Sequence, residues 1–207
     1  MTVSLWVAEA PLVLASKSAS RRALLAATGL EVEAVPADVD ERVIEARYLA
    51  GDGPAQGLAA ALAQAKALAV SAIRPDAYCL GADQTLTFEG RLMHKAADLG
   101  EAARSLAALA GHTHELTSAF CIARAGRALG ADEDRAYLAM RPLDPDQIAT
   151  YLFFAGPSVI ASVGAYQLEG LGQHLFEKVD GDHSTVLGLP MLKLLSWMRS
   201  KGLLALR

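Results

Sequence analysis

Three polar clusters interrupt this largely apolar chain, and each stands where an apolar run ends. The first, Ser16-Lys17-Ser18-Ala19-Ser20-Arg21-Arg22, follows Leu12-Val13-Leu14-Ala15 and precedes a stretch with helical spacing. Hydroxyls, cations and the free N–H groups of a starting helix make a cradle for an anion, because the helix N-terminus carries partial positive charge and aims donors outward. The plainer alternative is a Ser N-cap followed by exposed arginines. Cations in a first turn oppose the helix dipole, so an anionic partner is expected beside them, which favours phosphate.

The second cluster is Gly81-Ala82-Asp83-Gln84-Thr85, closing the apolar Tyr78-Cys79-Leu80 run, with Lys95 a hairpin later. A carboxylate after a buried strand suits Mg²⁺ binding or orientation of a water, and a returning Lys can neutralise phosphate oxygens. Asp is equally at home in turns, where its side chain bonds local N–H groups, and at this point both readings stand. The third cluster is the glycine-dense Gly164-Ala165-Tyr166-Gln167-Leu168-Glu169-Gly170-Leu171-Gly172, followed by Asp180-Gly181-Asp182 and Gly188-Leu189-Pro190. Glycine lets backbone approach a ligand closely, and Tyr166 with Glu169 offers a stacking face and a hydrogen-bonding edge suited to a nucleobase. A series of tight turns is the alternative.

Other polar residues carry weaker signals. Asp38, Asp40 and Glu41 can add carboxylates to a metal site, or serve as helix caps and dipole partners. Lys66, alone in an Ala/Leu-rich stretch, is either a snorkelling surface residue or a phosphate ligand. The histidines at 94, 112, 114, 174 and 183 lack metal-ligand companions and read as structural or exposed. Ser16, Ser18 and Ser20 have no neighbouring His–Asp arrangement, which speaks against a serine hydrolase. The chain has neither a GxxxxGK[ST] loop nor a GxGxxG after its first strand, so a P-loop NTPase and a Rossmann dehydrogenase are unsupported.

The elements that must position these clusters follow from periodicity and punctuation. Pro11 to Ser16 reads as a strand, Arg21 to Thr28 as a helix before Gly29, Glu31 to Ala37 as a second strand, and Pro54 to Ile73 as a long helix closed by Arg74-Pro75. Two hairpins are expected, one turning at Phe88-Glu89-Gly90-Arg91 and one joining His114–Ala123 to Ala128–Met140 through Arg124-Ala125-Gly126-Arg127. Helices are expected at Leu99–Ala110, from an Asp144 N-cap with Pro145 at N1 to Phe154, and from Pro190 at N1 to Lys201, with a strand at Gln173–Val179. The order is not doubly wound. It predicts an α/β fold with a mixed, twisted sheet flanked by helices, as a single domain over residues 1–207.

Composition narrows the classes. The chain has 207 residues, 53% hydrophobic and 20% charged, with 19 Lys+Arg against 23 Asp+Glu for a net charge of −4. A chain of this size buries about 70% of its unfolded surface and needs no staples. Mild acidity removes the basic footprint of a nucleic-acid binder. Cys79 and Cys121 read as two buried thiols. The first sixteen residues lack a basic n-region, and no run reaches the roughly 18 apolar residues that span a bilayer, so neither a signal peptide nor a membrane anchor is expected and the cytoplasm is the default.

Taken in order, Leu14-Ala-Ser-Lys-Ser-Ala-Ser-Arg-Arg-Ala-Leu-Leu25, Gly81-Ala-Asp-Gln84, Lys95 to Asp98, and Ser162-Val-Gly-Ala-Tyr-Gln-Leu-Glu-Gly-Leu-Gly172 through Gly188-Leu-Pro190 resemble the Maf family of nucleoside triphosphate pyrophosphatases. The resemblance implies two lobes around a cleft, a homodimer, a divalent-metal requirement (Mg²⁺, Mn²⁺ or Co²⁺), and hydrolysis of a nucleoside triphosphate to monophosphate and pyrophosphate. It implies a house-cleaning role towards modified or surplus nucleotides. By the same resemblance Asp83 is the proton acceptor, Ser16, Ser18, Arg21, Lys66 and Lys95 bind substrate, and Glu41 joins Asp83 near the metal.

Family specificity is associated with three positions, here Ser20, Gln84 and Glu169. The dTTP/UTP branch has Arg, Thr and Gln there; the 7-methyl-GTP branch has Trp, Gln and Glu. Gln84 and Glu169 resemble the second branch, Ser20 resembles neither, and Ala19 and Ala96 replace the family's usual prolines. A carboxylate accepts hydrogen bonds from the N1–H and amino group of guanine but cannot donate to a pyrimidine carbonyl, so Glu169 leans towards a purine. Two other readings remain for comparison: a catalytically weak nucleotide-binding regulator of cell division, and a phosphatase releasing orthophosphate.

Overall fold

A computed structural model describes residues 5–51, 53 and 55–206. Its strands are β1 (Leu12–Leu14), β2 (Glu33–Ala34), β3 (Tyr78–Phe88), β4 (Arg91–Met93), β5 (Thr113–Arg124), β6 (Arg127–Met140) and β7 (Phe176–Asp180). The α-helices are α1 (Ala19–Ala27), α2 (Glu41–Ala50), α3 (Leu58–Ile73), α4 (Leu99–Leu109), α5 (Pro145–Ala155), α6 (His183–Val186) and α7 (Met191–Ser200). The sheet runs β2-β1-β3-β5-β6-β7, with β4 pairing β3. It is mixed: β1 is parallel to β2 and β3, whereas the β3/β4 and β6/β7 pairs are antiparallel. This is the α/β class expected from the sequence. Among the described residues, no helix is long and apolar enough to cross a membrane.

Local chemistry explains most boundaries. Both hairpin turns, Glu89-Gly90 and Ala125-Gly126, have positive φ at both positions (49° and 74°, 48° and 73°), which matches the twist of the flanking strands. Asp144 caps α5 through a reciprocal box with Gln147, with Pro145 following. Gly111, at φ 76°, follows α4 in the left-handed region. Several details differ from the sequence reading, among them the short helix α6, which was not expected, and the Gly81–Thr85 cluster, which lies inside β3. Helix α2 was not among the expected elements, because its residues lack a clear apolar stripe and none is buried; Asp40 caps it through Val43 N. The second strand keeps only two residues of its apolar/polar alternation in the ladder. Residues Leu171–Leu175 form a 3₁₀ turn, so β7 starts at Phe176. Pro190 is the N-cap of α7 and not its first residue. Pro54, the expected start of the long helix, lies outside the described residues.

The chain divides into two compact units. The first comprises residues up to Gln84, Ser118–Asp134 and from His183 onward; the second comprises Thr85–Thr117 and Arg135–Asp182. In the first unit, Leu12, Leu14, Leu80, Phe120 and Ile122 of the strands bury against Leu25 of α1 and Leu194 and Met198 of α7. On a separate cluster Ala59, Ala63 and Ala67 of α3 meet Ala119, Cys121 and Ala123 of β5. Small residues on both surfaces bring the helix close to the sheet. Both cysteines are buried free thiols, and desolvation pushes each pKa up to about 11. In the second unit Leu86, Leu106, Leu109, Leu116 and Leu138 are fully buried.

Candidate active site

The site in the first unit begins with a glycine. A Cβ on Gly81 would stand 2.1 Å from Ala63 O and 2.5 Å from Ala67 N, so α3 rests directly on the β3 backbone. That close approach sets Lys66, between those two alanines, beside Asp83, two residues beyond Gly81. Lys66 Nζ lies 2.5 Å from Asp83 Oδ1 and 2.7 Å from Glu41 Oε1. Lys66 and Asp83 are each 8% exposed, while the Glu41 side chain is 56% exposed on the first turn of α2. A buried carboxylate or ammonium alone would carry a large desolvation penalty, which the pairing offsets. Among the described residues Asp83 Oδ2 has no hydrogen-bond partner, which leaves one carboxylate oxygen able to accept a proton.

Arg21 completes the charged group. Ser18 caps α1, its Oγ accepting from Arg21 N at 3.3 Å. Ser16 Oγ accepts from Ser18 N at 3.1 Å and from Arg21 Nη1 at 3.3 Å. Arg21 Nε donates to Gly188 O at 2.7 Å, anchoring α1 to the Gly188-Leu189-Pro190 turn. Burial presses the pKa of this guanidinium down, and the carboxylates of Asp83 and Glu41 oppose that shift. Asp83 and Glu41 thus supply favourable negative charge in the neighbourhood of this first-turn cation. Ser16, Ser18 and Arg21 are all committed to holding one another, with Arg21 Nη2 still in reserve.

Gln84 is also tied into the fold through its amide. Its Nε2 donates to Thr185 O (3.0 Å), Val186 O (2.9 Å) and Ser118 Oγ (3.1 Å), and Ser118 Oγ donates to Thr185 O at 2.7 Å. Thr185 Oγ1 in turn donates to Asp134 Oδ2 at 2.8 Å. These bonds tie the short α6 to β3, β5 and β6, and any contact of Gln84 with substrate falls to Oε1. Sequence reasoning picked out Gly81, Gln84 and Gly188 within motifs but gave none of them these bracing roles, because backbone approach and long-range hydrogen bonds leave no mark on residue type or spacing.

The structure thus brings Ser16, Ser18, Arg21, Glu41, Lys66, Asp83 and Gln84 together in one unit, with Ser20 in the first turn of α1. Lys95, exposed after β4, and Glu169, exposed in the Gln167–Gly172 turn, belong to the other unit. Tyr166 is 4% exposed with its ring against His114 and Phe176, so it is a buried anchor and not the stacking face expected for a base.

Comparison with known proteins identifies the family. The Maf-like protein family model matches residues 11–201. The chain belongs to the Maf family. A nucleoside triphosphate pyrophosphatase of Rhodopseudomonas palustris (strain HaA2) is 49% identical over 204 residues, spanning 98% of this chain and 100% of the relative. One from Bradyrhizobium diazoefficiens is 47% identical over 203 residues, 98% of this chain and 100% of the relative. A 7-methyl-GTP pyrophosphatase of Mesorhizobium japonicum is 48% identical over 191 residues, 92% of this chain and 96% of the relative.

Proposed function

We propose that this protein is a nucleoside triphosphate pyrophosphatase that adds water across the α–β phosphoanhydride, releasing the nucleoside monophosphate and pyrophosphate. The observation that carries the reading is the buried Lys66–Asp83 pair with Arg21 beside it, in a chain whose relatives at 49% and 48% identity are named for this activity. Asp83 is the proton acceptor: Lys66 holds Oδ1, and Oδ2 takes the proton from the attacking water as its oxygen bonds to phosphorus and the bridging P–O bond breaks. Arg21 and Lys66 neutralise charge on the phosphate oxygens, the electrostatic stabilisation on which phosphoryl chemistry chiefly depends. Lys95, of the second unit, is read as a further phosphate-binding cation.

A divalent cation belongs to this reading. Among the described residues there is no group of three or more His, Cys, Asp or Glu able to hold a metal. Asp83 and Glu41 nonetheless present hard carboxylate oxygens on either side of Lys66 Nζ. Two carboxylates completed by substrate phosphates and water are a normal set for Mg²⁺, so the donors fit. Asp83 and Glu41 would hold the ion, which when bound neutralises phosphate charge; Mn²⁺ or Co²⁺ could replace it.

Glu169 reads the base, accepting from a purine N1–H and amino group. Ser20 and Gln84 are read as further specificity residues. The active form is a homodimer acting in the cytoplasm on modified or surplus nucleotides. The test is incubation of the purified protein and Mg²⁺ with dTTP, UTP, GTP and 7-methyl-GTP, quantifying pyrophosphate, orthophosphate and monophosphate separately. Pyrophosphate with monophosphate in equal amounts, highest for the guanine nucleotides, is expected. Orthophosphate with nucleoside diphosphate would replace this reading with a phosphatase, and binding without any product would replace it with a regulator.

A further inference from the structure

His114 and Tyr166, 52 residues apart, meet in the interior of the second unit, with His114 Nε2 2.7 Å from the Tyr166 hydroxyl. They are 2% and 4% exposed. The Phe176 ring closes the cluster, 4.8 Å from that of Tyr166 and 5.9 Å from that of His114. Burial keeps both groups neutral, pressing the His114 pKa down and the Tyr166 pKa up. Among the described residues His114 Nδ1 has no hydrogen-bond partner. Each group therefore depends on this one bond, and removing either leaves the other's polar atom buried and unpaired.

Tyr166 terminates a stretch of uncommon backbone. Gly164 has φ 81° and Ala165 has φ 58°. A residue with a Cβ stays in the left-handed region only where its surroundings hold it there. Here the Tyr151 hydroxyl donates to Ala165 O at 3.4 Å, and the Tyr166 ring folds back so closely that a Cβ on Gly164 would stand 2.6 Å from Tyr166 Cε1. Immediately downstream, Gly170 N and Gly172 N both donate to Gln167 O at 3.1 Å, closing the turn that carries the exposed Glu169. A Cβ on Gly172 would meet Gln167 O at 2.4 Å, so that turn is tight. The chain from Gly164 to Gly172 is thus a rigid arm with one buried hydrogen-bonded anchor at its root and a carboxylate at its tip.

We propose that His114 is a positioning residue for base selection: its hydrogen bond to Tyr166 fixes this arm so that the Glu169 carboxylate is pre-set for the N1–H and amino group of a guanine-type base. The inference rests on the reading of Glu169 as the base-recognising group. Preorganisation of this kind acts on binding more than on the chemical step, because the arm carries no reacting group.

The experiment measures kcat and KM for GTP, 7-methyl-GTP and UTP in Tyr166→Phe, His114→Phe, the two combined, His114→Gln and Glu169→Ala, with melting temperatures alongside. Tyr166→Phe and His114→Phe are expected to raise KM for the guanine nucleotides about tenfold, the effect of losing one positioned hydrogen bond, with kcat within about twofold and the guanine-to-uracil preference reduced. The double variant is expected to be no worse than the poorer single one, since both remove the same bond. His114→Gln, which restores a donor and acceptor near the Nε2 position, should recover most of the preference. A merely structural role would lower the melting temperature and the active fraction while leaving KM and the base preference unchanged, and that result overturns the proposal. If His114→Phe fails to fold, Tyr166→Phe decides alone. Loss of preference in Glu169→Ala but not in the anchor variants overturns the positioning role and keeps the Glu169 reading. Loss in the anchor variants but not in Glu169→Ala removes Glu169 as the reader and overturns the proposal that the anchor acts through it. No loss in either overturns both.

Discussion

Replacing Gly81 by Ala tests whether the approach of α3 to β3 builds the site. The added methyl would lie 2.1 Å from Ala63 O, 2.5 Å from Ala67 N and 2.9 Å from Ala67 Cβ. Comfortable carbon contacts fall at about 3.5 Å, so the helix backbone must retreat by more than about 1 Å. No flexible side chain can yield instead, because two of the three clashing atoms are helical backbone. Overpacking of this kind costs roughly 1–3 kcal/mol, while the stiffer unfolded chain returns about 0.4–1 kcal/mol. A net loss of about 2 kcal/mol in a chain this long lowers the melting temperature by about 4–8 °C. Lys66 rides on the displaced helix, and a retreat of that size breaks the 2.5 Å contact with Asp83. Misplacement of a catalytic group by about 1 Å can lower turnover about 100-fold. The assay pairs thermal unfolding with initial rates of pyrophosphate release well below the transition. Gly90→Ala is the control: its Cβ meets nothing within 4 Å but its φ is 74°, so stability falls slightly and activity is retained. Wild-type turnover and melting temperature in Gly81→Ala would refute the reasoning.

Further expectations concern the charges. Lys66→Met leaves Asp83 buried without its cation and should lower kcat/KM at least tenfold for every nucleotide, measured as pyrophosphate release; activity within twofold of wild type would remove Lys66 from the site. Chelation should abolish turnover and Mg²⁺, Mn²⁺ or Co²⁺ restore it, with Glu41→Gln raising the metal concentration needed for half-maximal rate; activity that survives exhaustive chelation would contradict metal dependence. Burial lowers the His114 pKa from 6.5 to about 4, so the unfolded chain binds more protons than the native one between those values and stability falls as pH drops through that window. That contribution amounts to about 3 kcal/mol between pH 7 and pH 4, and urea unfolding should show a shallower acid loss in His114→Gln than in wild type. Parallel acid profiles would refute the assignment.

Much of the fold was legible because its signals are local. Asp144-Pro145 and the turns at Glu89-Gly90 and Ala125-Gly126 carry their own chemistry, and the Ala/Leu-rich run of α3 advertises a long helix. Helix α2 was missed because its stability comes from its cap and neighbours and not from an apolar stripe. The charged candidates stood out for a related reason: a lone Lys in an Ala/Leu helix and an Asp closing an apolar run contrast with their surroundings, although Asp83 lies inside β3 and not after it. What holds them did not stand out. Gly81, the Gly188 carbonyl and the Gln84–Thr185 tie act through backbone and through contacts over 100 residues away, which spacing along the chain cannot encode. Tyr166 shows the reverse error, an aromatic in a glycine-rich segment that looks like a stacking platform and is a buried anchor.

The central claim is that Asp83 is the group that accepts the proton from water. Asp83→Asn keeps the shape and an oxygen for Lys66 but removes the base. With Mg²⁺ and the preferred nucleotide, the account predicts a folded variant that releases pyrophosphate about 10² to 10⁴ times more slowly than wild type, the range attributable to a general base. A correctly folded Asp83→Asn protein with most of the wild-type turnover would contradict it.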